Sequence, residues 1–111
     1  MSIEPTPDDG GIARLEVEAG RVAGVLKLLA NESRLLILCR LAIVGEMPVG
    51  DLSKTIGLSQ SALSQHLAKL RADGLVDFRR QGQTLFYRLA DEQAAQLLGA
   101  LKDIYCPDIP E

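Results

Sequence analysis

Apolar residues recur along most of the chain at spacings of three and four, which is the pattern of amphipathic helices. The first predicted helix covers residues 12–30, and Asn31 can cap the second helix that follows it. The second helix is apolar on most sides, so we expect it to lie at the centre of the core. A last amphipathic helix is predicted for residues 92–105, with Asp91 as its N-cap.

A short helix, a turn and a longer helix are predicted between these outer helices. The short helix covers residues 49–56 and ends at Gly57. The longer helix begins after Ser59, whose hydroxyl can accept a hydrogen bond from the first turn, and ends before Gly74, which suits a left-handed residue. Its buried face consists of Leu63, Leu67 and Leu70. A short helix, a glycine turn and a longer helix make a helix-turn-helix.

A β-hairpin is predicted directly after the helix-turn-helix. The two-residue loop Gln81–Gly82 separates two short stretches of alternating apolar residues. This loop would pair Phe78 with Leu85 and Val76 with Tyr87, so that four apolar side chains share one face. The sequence therefore predicts a mainly α protein with a small β-hairpin, which is a winged helix-turn-helix.

Three segments are predicted from the positions of these elements. Residues 1–10 are rich in proline, aspartate and glycine and are expected to form a disordered arm. Residues 11–106 are expected to form one domain for DNA binding and dimerisation, and residues 107–111 a short tail. One small domain cannot easily cover both the first and the last helix, so we expect these helices to pair in a homodimer.

Length and composition restrict the class of protein further. The chain has 111 residues, 47% of them hydrophobic, and it contains no apolar run of membrane-spanning length. No secretion signal is apparent at the N-terminus, so we expect a cytoplasmic protein. Its two cysteines are then expected to be reduced by default.

The charge is distributed unevenly along the chain. The net charge is −3, but residues 51–88 carry +3, whereas residues 1–50 carry −2 and residues 89–111 carry −4. The positive charge is thus concentrated on the helix-turn-helix and the wing. Such an asymmetry can orient a protein on DNA.

Three motifs carry a resemblance to a known family. They are Gly50-Asp51-Leu52, the run Leu58-Ser59-Gln60-Ser61-Ala62-Leu63-Ser64-Gln65-His66-Leu67, and the segment from Leu75-Val76 to Tyr87-Arg88. They resemble the ArsR/SmtB family of bacterial repressors, and the likeness extends over residues 22–105. The resemblance implies a homodimer, joined through the first and last helices, that binds a near-palindromic site on double-stranded DNA.

Nine polar residues of the helix and wing are candidates for contact with DNA. They are Gln60, Ser61, Ser64, Gln65, His66, Lys69, Arg71, Arg80 and Gln83. Amides and hydroxyls can bond base edges and phosphates, and the cations can bind phosphates. Arg80 and Gln83 would bring the wing tip to the minor groove. His66 borders the leucine stripe and is expected to be structural or phosphate-adjacent rather than a metal ligand.

The metal sites of the family do not match this sequence. The arsenic and cadmium type has a Cys-x-Cys motif, where this chain has Pro48 and Gly50. The zinc type uses histidine in the last helix, but the only histidine here is His66. The sequence therefore predicts neither a metal site nor another cofactor.

The two cysteines are the remaining candidates for a sensing site. A free cysteine is often a small buried apolar residue, and this structural interpretation stays open for Cys39. Cys106 lies in a polar helix end, where a thiol is exposed and reactive. The placement of Cys39 and Cys106, with the run Leu-Ala-Asn-Glu-Ser-Arg-Leu-Leu-Ile-Leu-Cys at residues 29–39, resembles the BigR/SqrR-type branch.

This branch resemblance implies a persulfide- or redox-responsive repressor. Reactive sulfur species or oxidants would bridge Cys39 and Cys106 as a disulfide or polysulfide, and the operator would be released. The alternative is a metal- or metalloid-responsive repressor with non-standard ligands. A thiol enzyme is a third hypothesis, but no Cys-x-x-Cys, Ser/His/Asp or phosphate-loop motif supports it, so we expect no enzymatic activity.

Overall fold

The computed structural model describes residues 11–109 of the chain. These residues form five helices and three strands, which are bounded by capping residues. The elements in order are α1 (Ile12–Leu29), α2 (Glu32–Val44), β1 (Glu46–Pro48), α3 (Val49–Ile56), α4 (Gln60–Ala72), β2 (Val76–Gln81), β3 (Thr84–Leu89) and α5 (Glu92–Tyr105). The predicted arm, residues 1–10, and the last two residues of the predicted tail lie outside the described residues.

The predicted N-caps are confirmed at three helices. Asn31 Oδ1 accepts a hydrogen bond from the Arg34 N–H at 3.0 Å, and Ser59 Oγ accepts one from the Ala62 N–H at 3.1 Å. The Asp91 carboxylate accepts from two N–H groups in the first turn of α5. Each cap satisfies a backbone donor that the helix itself leaves without a partner. Local sequence therefore determines where α2, α4 and α5 begin.

The end of α4, like its start, is determined by residues that are close to it in the sequence. Gly74 has φ +78°, and its N–H donates to the Arg71 carbonyl at 3.0 Å. The Leu75 N–H donates to the Leu70 carbonyl at 2.9 Å. These two bonds form a Schellman motif, which requires a left-handed residue at the position of Gly74. The predicted role of Gly74 is thus confirmed.

The core is built around α2, as predicted. Ile37, Leu38 and Leu41 of α2 are buried, and the helix packs against α1, α3, α4, α5 and the sheet. The three leucines predicted for the buried face of α4 are also buried. Because α4 packs on the core through these leucines, its opposite face is held outward.

The sheet contains a strand that the sequence did not predict. The order is β1-β3-β2, and β1 pairs with β3 so that Met47 lies opposite Tyr87. Glu46–Pro48 has only three residues and ends in a proline, so it carries no alternating pattern. It is a strand because the free edge of β3 supplies partners for its backbone, which is a tertiary effect.

The predicted pairing of the hairpin was wrong by two residues. Phe78 lies opposite Tyr87 and Val76 opposite Leu89, and the loop consists of residues 82–83 rather than 81–82. Gly82, with φ +65°, takes the first loop position, where a positive φ is required. A shift of two residues leaves every side chain on its predicted face. The rings of Phe78 and Tyr87 therefore still meet, with centroids 5.3 Å apart.

Most of α1 is not buried by the other residues that the structure describes, although Arg21 donates a hydrogen bond to Gln93 of α5. Only the end of this helix is buried, at Leu28 and Leu29, and residues 12–24 are all exposed. Leu15 is 65% exposed and Val17 is 81% exposed. Several exposed apolar residues on one helix indicate a surface that binds another protein.

We predict that Gly74→Ala lowers the free energy of unfolding by about 1 kcal/mol, because a Cβ strains the left-handed conformation. Gly99→Ala is the matched control. Gly99 lies inside α5, where a Cβ would meet nothing within 4 Å, so this change should stabilise the protein by about 0.5–1 kcal/mol. Urea unfolding at one fixed chain concentration measures both values. Equal effects of the two substitutions would contradict the assignment of Gly74.

Candidate DNA-binding surface and thiol site

The outer face of α4 presents most of the predicted DNA-contacting residues to solvent. The exposed ones are Gln60, Ser61, Ser64, Gln65, Lys69, Arg71, Arg80 and Gln83. His66 is half-buried beside Leu67, in agreement with its expected place at the border of the leucine stripe. Because the buried leucines fix the rotation of α4, the exposed residues of this helix are held on its outer side, whereas Arg80 and Gln83 are exposed in the wing.

A cleft between α4 and the wing brings four of these residues together. Gln60, Ser64, Arg71 and Gln83 line this cleft, which has a volume of about 430 Å³. The Arg71 guanidinium lies over the Phe78 ring, 4.3 Å from its centroid. This cation–π contact joins the end of α4 to β2 and therefore helps to fix the angle between helix and wing. The other five predicted contacts do not line the cleft.

One ion pair of the wing was not predicted from the sequence. The Arg79 guanidinium donates to both carboxylate oxygens of Glu46, at distances of 3.0 to 3.2 Å, and lies 4.4 Å from the centroid of the Phe86 ring. The hydrogen bond from Arg79 lowers the pKa of Glu46. Glu46 belongs to β1, so only the unpredicted pairing of β1 with β3 brings these residues together.

The two arginines of β2 are therefore not equivalent. Arg79 has its charge offset by Glu46, whereas Arg80 has no ion-pair partner among residues 11–109. A bidentate pair holds both side chains in a fixed geometry. Arg80 is thus the wing cation that is available for a phosphate, and Arg79 holds the strands in place.

The two cysteines line one cavity between α2 and α5. Cys39 is half-buried on α2, and Cys106 is exposed at the C-cap of α5, where its N–H donates to the Lys102 carbonyl at 2.7 Å. Both thiols are free. The cavity has a volume of about 860 Å³. The structure thus brings together two residues that lie 67 positions apart in the sequence.

The electrostatics of the two thiols are coupled. Burial raises the pKa of Cys39, and the nearby Cys106 raises it further because a second negative charge is unfavourable there. Cys39 therefore remains a thiol at a pH where an ordinary cysteine begins to ionise. Exposed Cys106 is the more accessible of the two to a reagent in solvent.

The described residues offer no metal centre. No group of three or more His, Cys, Asp or Glu side chains among residues 11–109 is arranged to hold a metal ion. Within the same residues, no helix combines the length and apolar character of a membrane span.

Comparison with known proteins places these features in a family. The model of "Bacterial regulatory protein, arsR family" matches residues 31–77. The nodulation protein NolR of Rhizobium meliloti is 52% identical over 91 residues, which are 82% of this chain and 74% of NolR. The chain belongs to the arsR family. The family resemblance inferred from the helix-turn-helix and wing motifs is therefore confirmed.

Solved arsR-family structures share the whole architecture. Reduced HlyU from Vibrio cholerae N16961 is 45% identical, with a TM-score of 0.80 over 86% of this chain and 99% of HlyU. The transcriptional repressor BigR from Xylella fastidiosa is 44% identical, with a TM-score of 0.78 over 85% of this chain and 95% of BigR. The similarity to BigR agrees with the branch suggested by the two cysteines.

Membership in the arsR family determines the general activity. The chain is a DNA-binding transcriptional regulator with a winged helix-turn-helix, and its relatives are named as regulators and not as enzymes. Regulators of this family bind DNA and act as dimers.

We predict that iodoacetamide alkylates Cys106 several-fold faster than Cys39 at neutral pH, because Cys106 is exposed and burial raises the pKa of Cys39. Alkylation of Cys39 should also require a higher pH than alkylation of an ordinary cysteine, because a raised pKa means that the thiolate forms only at higher pH. Peptide mass spectrometry of timed samples measures both rates, and in denaturant they should converge. Faster alkylation of Cys39 in the folded protein would contradict this prediction.

We predict that Arg80→Gln weakens binding to operator DNA several-fold. The salt dependence, measured as the slope of log K against log salt, should become less negative by about 1 per protomer. Arg40→Gln, which removes another exposed charge, on α2, is the control and should leave the slope unchanged. Equal slopes for Arg80→Gln and the unaltered protein would show that Arg80 does not contact phosphate.

Proposed function

We propose that this arsR-family repressor releases its operator when reactive sulfur species or oxidants bridge Cys39 and Cys106. The observation that carries the proposal is the cavity between α2 and α5, which both thiols line. The effect of Cys106 on the pKa of Cys39 supports it, since such an effect needs two nearby thiols. No other pair of thiols exists in the chain.

The chemistry of the bridge balances with an organic persulfide as the oxidant. The Cys106 thiolate attacks the outer sulfur of the persulfide RSSH, takes it up as a persulfide on Cys106, and releases RSH. The Cys39 thiolate then attacks Sγ of Cys106 and expels that outer sulfur as hydrogen sulfide, which leaves a disulfide. When both thiols carry a persulfide, loss of one hydrogen sulfide leaves a trisulfide instead.

The dimer provides the route from the bridge to DNA. We propose that α1 and α5 form its interface. The exposed part of α1 and the end of α5, where Ile104 is 68% and Tyr105 77% exposed, are not covered by any of residues 11–109. A bridge would tie α5 to the central helix α2. Such a tie shifts α5 relative to its partner and alters the spacing of the two α4 helices, which must match one turn of DNA, about 34 Å.

The comparisons support a thiol input without identifying it. One similar solved structure is that of HlyU specified as reduced, and another is that of the transcriptional repressor BigR. We propose further that the protein acts in the cytoplasm, where its thiols would be kept reduced between signals.

The DNA side of the proposal rests on the exposed face of α4 and the wing tip. We propose that these groups contact a near-palindromic operator on double-stranded DNA: Gln60, Ser61, Ser64, Gln65, His66, Lys69, Arg71, Arg80 and Gln83. Their exposure, and the cleft that four of them share, support this assignment. Arg79 is not proposed as a contact, because its charge is offset by Glu46.

We predict that glutathione persulfide lowers the affinity for a fluorescent operator taken from the protein's own promoter by at least about tenfold, and that dithiothreitol restores it. Fluorescence anisotropy measures the affinity. Cys39→Ser and Cys106→Ser should each bind the operator normally and fail to respond, because each removes one end of the bridge.

The outcomes of this experiment separate the alternatives. Release by zinc or antimonite, with no response to persulfide, would favour the metal- or metalloid-responsive alternative. Release of the double serine variant by persulfide would overturn the thiol bridge. Hydrogen peroxide, tested beside the persulfide, determines which oxidant class is effective.

A further inference from the structure

The cavity between α2 and α5 is larger than a bridge between two thiols requires. Its volume of about 860 Å³ lies in the range of sites for small organic ligands. Aliphatic side chains from α2, α3 and α5 form most of its wall, including Leu36, Ile43, Ile56, Leu98 and Leu101. A wall of this kind accommodates an extended hydrocarbon chain.

The charges around the cavity have one sign. Arg40, Arg88 and Lys102 line it, and no aspartate or glutamate is among the described residues that do so, although the whole chain carries a net charge of −3. The Arg88 guanidinium lies close to carboxylates of the wing, and its distance to the Glu46 carboxylate is 3.9 Å. Lys102 donates to the Ile109 carbonyl at 2.6 Å.

Arg40 differs from these two cations. Its side chain is exposed at the cavity and has no hydrogen-bond or ion-pair partner among residues 11–109. A guanidinium in this position can bind a carboxylate through two parallel hydrogen bonds. The cavity thus combines an apolar wall with one available cation.

We propose that the cavity binds an aliphatic carboxylate of medium chain length, with its tail along the apolar wall and its head group on Arg40. This binding goes beyond the proposed thiol switch and does not depend on it. A bound tail would lie between α2 and α5 beside Cys39, so it would shield that thiol. The ligand would therefore oppose formation of the bridge between Cys39 and Cys106.

The test uses sodium decanoate and the dimeric Cys39→Ser/Cys106→Ser protein, which cannot undergo thiol chemistry. Titration calorimetry should show saturable binding. Octanoate should bind about fifteenfold more weakly, because it lacks two methylenes and each buried methylene contributes about fourfold in affinity. Decyltrimethylammonium, which has the same tail and the opposite charge, should bind at least about tenfold more weakly than decanoate. Arg40→Gln should weaken decanoate binding about tenfold.

Gly99 provides a variant that fills the cavity. It lines the cavity, and a Cβ there would meet nothing within 4 Å, so Gly99→Leu should place its side chain in the cavity without disturbing α5. We expect Gly99→Leu to abolish decanoate binding. Ala100→Leu is the matched control, because Ala100 is exposed on the same helix and does not line the cavity, and it should bind normally.

A readout on the thiols tests the position of the ligand. In the protein with both cysteines, saturating decanoate should slow alkylation of Cys39 more than that of Cys106. The proposal would be overturned by no binding to the dimer, by binding that Gly99→Leu leaves unchanged, or by equal binding of the cationic amphiphile. Binding that appears only when dilution dissociates the dimer would show that a second copy fills the cavity, and would also overturn it.

Discussion

The burial of α2 is the constraint on which the rest of the structure depends. Ile37 and Leu38 are fully buried, and the helix contacts every other helix and the sheet. This position fixes α4 through its leucine face, and α4 in turn presents its polar groups outward. The same helix carries Cys39 beside the core. In the proposed switch, a covalent change at that thiol would therefore act on the element that positions the DNA-binding surface.

The division of roles between the helices follows from their packing. The end of α1 and the inner face of α5 are attached to α2, whereas the projecting half of α1 and the last turn of α5 remain exposed. Cys106 lies at the boundary of this last turn. One thiol of the pair, Cys39, thus lies beside the core, and the other, Cys106, lies next to the surface that we propose for dimerisation. In the proposed switch, a short covalent bridge between these thiols would alter the dimer without unfolding either chain.

Local features of the fold could be predicted from sequence, and long-range features could not. The caps at Asn31, Ser59 and Asp91 and the left-handed Gly74 involve residues within a few positions of each other, so their patterns are visible in the sequence. The pairing of β1 with β3 joins residues about 40 positions apart, and no periodicity reveals it. The pair of Glu46 with Arg79 depends on that strand, so it was missed as well.

The candidate site shows the same division. The exposed face of α4 follows from its leucine spacing, and its polar residues could be named in advance. The two thiols were singled out by their resemblance to a family branch, whereas the cavity that they share depends on how α5 packs on α2.

Mass spectrometry under non-reducing conditions, after treatment with glutathione persulfide, tests most directly whether Cys39 and Cys106 become bridged. We predict a peptide pair that links Cys39 to Cys106 within one chain. A link between two copies of Cys106, or persulfides that never join, would contradict the proposed switch.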